Sequence, residues 1–206
     1  MNAKELRLAK KTIRNQHMPK SLEQRFIANG LSELLDGVYN RTAKLLAENR
    51  TANKALYTHL EQILPSIAFY EALLAHYGDK AVALERFDEW AYDSIKDVSQ
   101  KFSRLMKTGL YRFVPSLCGV LLDKFFGEKA GFESRPVPDA PKFARDMTVC
   151  PYYETCKKYG CPEITQFFCK SDDITYGNMH PRLVWGRTQT LGTGGECCDF
   201  RLSLRK

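Results

Sequence analysis

The sequence predicts an α+β protein, in which a helical N-terminal part packs on a small antiparallel β-sheet C-terminal unit. Apolar residues recur at helical spacing from residue 21 to about residue 126. Three prolines then fall within residues 131–141 and exclude a helix there, and the segments beyond them alternate as strands do. We therefore divide the chain into a basic N-terminal arm (1–20), a helical region (21–130) and a Cys-rich α+β region that carries the site (131–206).

The positive charge of the chain is concentrated near its N-terminal end. The formal net charge is +7, and residues 1–20 alone carry +5, because they hold six Lys or Arg and one Glu. This pattern is typical of a solvated arm rather than of a basic face for nucleic acid. The sequence also has no apolar run long enough to cross a bilayer and no secretory signal. We expect a cytoplasmic protein with no nucleic-acid partner and no membrane partner.

The first predicted helix begins at a capping box that Ser21 forms with Gln24. Its apolar period continues to about residue 46. Gly30 and Gly37 weaken this helix locally without breaking the period.

A second helix is predicted over residues 54–77. Pro65 should kink or restart it, because proline removes one backbone donor. Gly78 is placed to end this helix, and Asp79 is placed to cap the next one.

Two more helices and then a region of short helical turns and strands are predicted after residue 79. The third helix carries an apolar stripe of core type from Phe87 to Leu105, and a fourth, over 111–126, is apolar on most sides and is predicted to be central. Residues 131–141 form a linker or an edge strand. The remaining segments are predicted as a strand at 143–150, helical turns at 154–159 and 163–169, and strands at 183–191 and 197–204 joined by a hairpin at 192–195.

The chain has seven cysteines, and six of them lie between Cys150 and Cys198. An odd number without a secretory signal favours free thiols over a disulfide framework. The spacing of Cys150, Cys156 and Cys161 is close to that of a zinc finger, but Thr165 stands where its histidine belongs. The sequence therefore requires no cofactor. A divalent metal is compatible with it, and several thiols can equally be buried as small hydrophobic groups.

A thiol nucleophile needs a depressed pKa and a nearby base. Cys150 is placed where a strand gives way to a helical turn, and Cys169 is followed by acidic residues. Neighbours on a strand face opposite sides, so one of Cys197 and Cys198 points inward. His180 can serve as the base or can simply lie in a loop.

Charged residues in the same region complete the candidate site. The carboxylates are Glu163, Asp172, Asp173 and Asp199. Asp172 or Asp173 suits a general base or a partner for a cationic group, and either can equally cap a helix. Arg187 is predicted on a strand. If it points inward it needs a carboxylate partner from the protein or from a substrate, and otherwise it lies on the surface.

Several short motifs follow one another in order along the last third of the chain. They occupy residues 150–152, 160–163, 168–172, 187–191, 194–195 and 198–200. Together they resemble the L-2-amino-thiazoline-4-carboxylic acid hydrolase family. The resemblance implies a hydrolase of cysteine metabolism that acts on the C–N bonds of a cyclic amidine and opens an isothiourea-like ring toward a carbamoyl-cysteine. The positions that follow the family pattern are Cys150, Cys169, Asp172, Arg187 and Cys198.

The chemistry of such a ring assigns roles to these residues. The ring carbon between nitrogen and sulfur is electrophilic once the amidine is protonated. Asp172 or Glu163 would hold this cation, and Arg187 would hold the substrate carboxylate at two points. A thiolate, Cys169 by preference and Cys198 next, would attack, or a bound water would. The predicted catalytic residues are Cys169, Asp172, Cys198 and Cys150, and the predicted substrate-binding residues are Arg187, Glu163, Gly194 and Gly195, the glycines through backbone donors.

Two other functions fit the same residues. One is a Cys-rich sensor module that binds a small ligand or a metal without turning it over, which near-stoichiometric zinc or iron in the purified protein would favour. The other is a helical scaffold with an interaction surface, which predicts no thiol of depressed pKa. The expected partner is a small-molecule substrate, and the apolar helices are compatible with a homo-oligomer.

Overall fold

A computed structural model describes residues 2–138 and 143–205. The chain divides into two units, Met1–Ser94 and Ile95–Lys206, so the boundary falls inside the region predicted to be helical rather than near residue 131. The first unit is helical, and the second contains helices and a four-stranded sheet, which confirms the α+β class. The helices are α1 (Ala3–Asn15), α2 (His17–Ala28), α3 (Leu35–Glu48), α4 (Lys54–Tyr77), α5 (Lys80–Trp90), α6 (Asp93–Met106), α7 (Val114–Phe125), α8 (Pro151–Lys158) and α9 (Thr165–Gly177).

The sheet belongs to the second unit. Its strands are β1 (Glu133–Pro136), β2 (Phe143–Val149), β3 (Leu183–Gly186) and β4 (Cys198–Leu204). Among the helices that the structure describes, none has the length and apolar character needed to cross a membrane.

The basic N-terminal segment is a packed helix rather than the solvated arm expected from its charge. Asn2 and Glu5 form a capping box at the start of α1. Ala9 and Ile13 are fully buried, so α1 is amphipathic and turns one apolar face inward while its basic residues stay outside. The composition of the segment hides this narrow apolar face.

The predicted start of the first long helix at Ser21 is also wrong. Ser21 lies inside α2 and is fully buried, and its hydroxyl oxygen accepts a hydrogen bond from the Ser94 backbone N–H at 2.8 Å. Gly30 then takes a positive φ of 76°, a conformation that favours glycine. This ends α2, and α3 begins at Leu35. The apolar period continues across the break, which is why the pattern predicted one helix.

Local capping signals around α4 are confirmed. The helix spans Lys54–Tyr77 as predicted and continues through Pro65 as one element. Gly78 ends it with a φ of 66°, and the Asp79 carboxylate accepts hydrogen bonds from two backbone N–H groups at the start of α5. The predicted third helix is two helices, because residues 91–92 separate α5 from α6.

Helix α7 has a largely exposed apolar surface, so the prediction that it is central is wrong. Leu117, Val120 and Phe125 are 53%, 71% and 50% exposed. Val114, at the start of the helix, is part of the core, and Cys118 packs against it. A helix that is apolar on most sides therefore uses only part of its apolar surface for packing within the second unit.

The sheet has strand order β1-β2-β4-β3, and every pair is antiparallel. Strands β2 and β4 confirm two of the predicted strands. For the Pro-rich segment, the sequence left a linker or an edge strand open, and β1 shows that it forms an edge strand through residue 136. Part of that segment, residues 139–142, lies outside the described residues. The predicted strand at 183–191 ends at Gly186, and the tight hairpin at 192–195 is replaced by a longer connection that contains a 3-10 helix, Leu191–Thr193.

One face of the sheet is covered by helices of the second unit. Alternation along β4 places Cys198, Phe200 and Leu202 on this face and Asp199 on the other. Helix α9 is longer than the helical turn predicted at 163–169, and it packs beside β3. The buried core of this unit is Met106, Tyr111, Val114, Phe143, Met179, Leu183 and Leu202.

Candidate active site

Three cysteine thiols converge between α8, α9 and the start of β4. Cys169 on α9 forms a hydrogen bond with Cys198, the first residue of β4. Cys150 stands directly before α8 and interacts electrostatically with both of these thiols. We call Cys150, Cys169 and Cys198 the thiol cluster. The structure therefore brings together three residues that are distant in the sequence.

Within this cluster, Cys198 is the thiol whose ionised form is best stabilised. The Cys169 thiol donates to its sulfur, and the Leu191 backbone N–H donates to the same Sγ at 3.3 Å. The hydrogen bond from Cys169 is the main cause that lowers the pKa of Cys198, although burial opposes it. The same hydrogen bond, together with burial and the charge of Asp172, raises the pKa of Cys169.

Cys150 occupies the N-cap position of α8, with Pro151 at the first helical position. Backbone N–H groups of Tyr153 and Tyr152 interact with its sulfur, as expected for a thiol at a helix start. Burial is the larger effect, however, and raises the pKa of Cys150 to about 12. This thiol is therefore protonated at neutral pH.

Arg187 joins the thiol cluster to the acidic side of α9. It lies one residue beyond β3, and only 6% of its side chain is exposed. Its Nη2 donates to Asp173 Oδ2 at 2.5 Å and to the Cys169 carbonyl oxygen at 2.8 Å, and its Nη1 donates to Asp172 Oδ2 at 3.4 Å. The inward orientation with protein carboxylates as partners is one of the alternatives that the sequence left open.

Two aromatic side chains flank the same guanidinium. The Arg187 Cζ lies 5.7 Å from the Trp185 ring centroid and 5.8 Å from that of Phe200. The Trp185 Nε1 also donates to Asp173 Oδ1 at 2.8 Å. Cation–π contacts and three charged or carbonyl acceptors thus compensate for the loss of water around Arg187.

Asp172 is the carboxyl group of this site that titrates near neutrality. Burial raises its pKa to about 7, an effect that Arg187 opposes and the charge of Asp173 reinforces. Its side chain is nevertheless 37% exposed, so protein packs against one side of the carboxyl while solvent reaches the other. Asp172 can therefore exchange a proton with a molecule that enters from solvent.

Asp199 organises the loop that carries Arg187. It lies on the opposite face of β4, and its Oδ1 accepts hydrogen bonds from the backbone N–H groups of Thr188 and Gln189 at 2.9 and 2.8 Å. Its Oδ2 accepts from the Thr188 hydroxyl at 2.7 Å. Burial opposes ionisation, but these hydrogen bonds outweigh it and lower the pKa of Asp199. Asp199, one of the candidate carboxylates, thus stabilises the loop.

The glycine segment places its own donors inside the loop. The N–H of Gly194 donates to the Leu191 carbonyl at 3.2 Å, and that of Gly195 donates to the Thr190 carbonyl at 2.9 Å. A Cβ on Gly195 would lie 2.9 Å from Gln189 Cβ and 3.0 Å from the Thr190 carbonyl oxygen, so a larger residue would force the loop to shift. The backbone donor that reaches the Cys198 sulfur is Leu191 N–H, which the sequence analysis missed. The shape of the loop positions this N–H group, and no pattern of residues in the sequence indicates it.

The structure also places Glu163 and His180, two further candidates from the sequence. Glu163 is half-buried on the 3-10 helix Pro162–Ile164, whereas the carboxylates described beside Arg187 are Asp172 and Asp173. His180 stacks on Tyr111 with 3.8 Å between ring centroids. The structure thus gives His180 a place in a separate aromatic pair.

Cys156 and Cys161 form a second pair of buried thiols, which are hydrogen bonded to each other. In the described part of the chain, no three His, Cys, Asp or Glu side chains come together in a way that could hold a metal ion. Of the three cysteines with zinc-finger-like spacing, Cys156 and Cys161 thus form the buried pair, and Cys150 belongs to the thiol cluster.

Comparison with known proteins identifies the family. The sequence model of the L-2-amino-thiazoline-4-carboxylic acid hydrolase family matches residues 57–202, a span that contains the thiol cluster, Asp172 and Arg187. The chain belongs to this family. No curated protein matched the chain in the search made for relatives. No solved structure matched it either.

The hydrogen bonds of Asp199 predict a pH-dependent cost for its replacement. Asp199→Asn should destabilise the protein by about 2 kcal/mol near neutral pH, because buried backbone donors lose an ionised acceptor. The pKa of Asp199 is lowered in the folded protein. Its contribution is thus complete above the unfolded value of about 3.9 and is lost as the pH falls through the folded value. Urea unfolding at a series of pH values measures this difference.

The matched control is Asp97→Asn on the exposed side of α6, which should change stability by less than about 0.5 kcal/mol at every pH. A cost of Asp199→Asn that is the same at acid and neutral pH would contradict the account of the loop.

Proposed function

We propose that the protein is a hydrolase that opens a small cyclic amidine or isothiourea ring, such as L-2-amino-thiazoline-4-carboxylate, to a carbamoyl-cysteine. The observation that carries the proposal is the placement of Asp172, whose pKa is about 7, where its charge acts on Cys150 and Cys169 of the thiol cluster, in which Cys198 has a lowered pKa. Membership of the family supports the reaction class. An acid–base group and a nucleophile side by side are what hydrolysis of such a ring needs.

The ring would be recognised through its N–H groups. A protonated cyclic amidine presents N–H donors, and the carboxyl groups of Asp172 and Asp173, which share one guanidinium, that of Arg187, offer oxygens to accept them. Arg187 already donates to both of them and to a backbone carbonyl. To hold the substrate carboxylate, as the sequence suggests, it would have to exchange one of these partners. We therefore assign Arg187 to positioning Asp172 and keeping its pKa from rising further.

The first chemical step uses Cys198 as the nucleophile. Its thiolate forms a bond to the ring carbon between nitrogen and sulfur, and the C=N electron pair moves to the ring nitrogen. A nitrogen lone pair then restores the C=N bond as the bond between that carbon and the ring sulfur breaks, and the sulfur takes the electron pair of that bond together with the proton of Asp172. A thiolate leaves more readily than an amide-like nitrogen, since a thiol has a pKa of about 8.5. We therefore favour cleavage at sulfur over the C–N bond implied by the resemblance.

The second step releases the product. The Asp172 carboxylate takes a proton from a water molecule whose oxygen bonds to the same carbon, and the Cys198 sulfur leaves with its electron pair. The carbonyl forms as the new hydroxyl group releases its proton to solvent, which accounts for the proton that the amidine brought in. The product is a urea, N-carbamoyl-cysteine, and the enzyme returns to its starting protonation state. One water molecule is consumed, and no other reactant is required.

The role of Asp172 predicts the pH dependence of kcat/KM for L-2-amino-thiazoline-4-carboxylate. The first step needs the acid form of Asp172, which is lost as the pH rises through a pKa of about 7. We expect kcat/KM to fall above that pH, and Asp172→Asn to lower it about 100-fold or more and to remove the alkaline limb. Initial rates across pH measure both effects.

Glu163→Gln is the matched carboxyl-to-amide control, because the sequence offers Glu163 as the alternative partner of the amidine. It should keep the alkaline limb. A limb that survives in Asp172→Asn, or that disappears in Glu163→Gln, would exclude Asp172 as the acid.

The cysteines can be separated by substitution. Cys198→Ala should lower turnover by about two orders of magnitude or more, because the nucleophile is lost. Cys169→Ala should reduce it less and should raise the pH at which the Cys198 thiolate forms, since one hydrogen bond to that sulfur is removed. Rates, iodoacetamide labelling across pH and intact mass measure these effects. Cys118→Ala, on α7, serves as the control.

Near-normal turnover in Cys198→Ala, combined with a strong loss in Asp172→Asn, would mean that water attacks the ring directly. That result would overturn the nucleophile assignment. Turnover lost in Cys169→Ala and retained in Cys198→Ala would restore the order of preference predicted from the sequence.

A further inference from the structure

The second unit contains a cavity of about 540 Å³ that the proposed reaction does not use. It lies at the end of the β3–β4 pair where β3 begins and β4 ends. Its lining residues all belong to Ile95–Lys206 and include no carboxylate: Tyr111, Arg112, Phe113, Ser116, Arg182, Leu204 and Arg205. The cavity is open to solvent, because Arg112, Phe113, Arg182 and Arg205 are exposed, and three arginines surround it.

Two of these arginines face each other across the sheet. Leu183 pairs with Leu204, and the next backbone pair is closed by a hydrogen bond from Arg205 N–H to the Arg182 carbonyl at 2.8 Å. Like charges directly opposite each other on neighbouring strands destabilise a sheet. Among the described residues, no carboxylate forms an ion pair with either arginine or with Arg112. An anion in the cavity would relieve this repulsion.

Two of the guanidinium groups share one neutral hydrogen-bond acceptor, a tyrosine hydroxyl oxygen. The Tyr111 hydroxyl oxygen accepts from Arg112 Nε at 3.4 Å and from Arg182 Nη1 at 3.3 Å. The Tyr111 ring is held flat against His180 at 3.8 Å between centroids and 6° between planes. These hydrogen bonds, that from Arg112 first, lower the pKa of Tyr111, as expected for an oxygen that accepts from two guanidinium groups.

Apart from Ser116, the remaining lining is apolar. Phe113 and Leu204 line the cavity together with the Tyr111 ring, so a ligand that carries only a bare anion would leave this surface wet. Guanidinium groups bind phosphate and carboxylate at two points each, which suits an anionic group fixed in one orientation. Charge and apolar surface therefore point to one kind of ligand.

We propose that this cavity binds a small organic anion, whose phosphate or carboxylate group lies among Arg112, Arg182 and Arg205 and whose flat apolar body contacts Tyr111, Phe113 and Leu204. The site is separate from the candidate active site. Cys198 and Leu204 are the two ends of β4, which at about 3.3 Å per residue places the two sites about 20 Å apart. The proposal thus stands without the proposed function.

Isothermal titration calorimetry of the full chain at physiological salt tests the proposal with four probes: phenyl phosphate, benzoate, inorganic phosphate and phenol. Phenyl phosphate or benzoate should bind with a stoichiometry of one, and the tighter of the two identifies the anionic group. Inorganic phosphate should bind about tenfold more weakly than phenyl phosphate, because it leaves the apolar lining uncovered. Phenol should not bind, because it brings no charge.

Variants then locate the binding. Arg182→Gln and Arg205→Gln should each weaken binding by about tenfold or more, since each removes a charge-assisted hydrogen bond. Arg104→Gln, an exposed arginine on α6 outside the cavity lining, should leave the affinity unchanged. Thermal unfolding of each variant verifies that it folds, and Arg205→Gln offers a second test if Arg182→Gln does not.

Three results would overturn the proposal. The first is that neither phenyl phosphate nor benzoate saturates the protein. The second is that Arg104→Gln weakens binding as much as the two cavity variants, which would mean diffuse attraction to a basic surface. The third is that inorganic phosphate binds as tightly as phenyl phosphate, which would leave the apolar lining without a role.

Discussion

The buried guanidinium of Arg187 is the interaction on which the rest of the candidate site depends. It links the end of β3 to two successive carboxylates and a backbone carbonyl of α9. Removing a charged group from water is costly, and here three acceptors and two aromatic rings compensate. Without Arg187, Asp172 and Asp173 would face each other with no cation between them. The pKa of Asp172 would then rise further, and the geometry around Cys169 would lose a fixed point.

Much of the fold follows from local chemistry that the sequence displays. Helix α4 ends and α5 begins where Gly78 and Asp79 place them, because these residues act through their own neighbours. The packing of α1, the break at Gly30 and the exposed face of α7 could not be read in this way. They depend on which apolar side meets another element, and composition or periodicity alone does not contain that information.

The candidate site likewise combines features that the sequence shows with features that only the fold decides. The ordered motifs identify Cys150, Cys169 and Cys198 as a group, since residue type and order are properties of the sequence. Their ranking depends on the backbone. The Leu191 N–H reaches the Cys198 sulfur only because a long loop, held by Asp199, replaces the tight hairpin that the glycines predict. Burial decides the rest, because it leaves Cys150 protonated and brings the pKa of Asp172 to about 7.

The central claim is that Asp172 is a proton-transferring group whose pKa Arg187 holds near neutrality. Isotope-edited infrared titration of the aspartate carboxyl groups measures it directly, with Asp172→Asn to assign the band. The account predicts a pKa of about 7 in the native protein and a higher value in Arg187→Met, because the charge of Arg187 lowers it. An ordinary value of about 4 in the native protein, or an unchanged value in a folded Arg187→Met, would contradict the account.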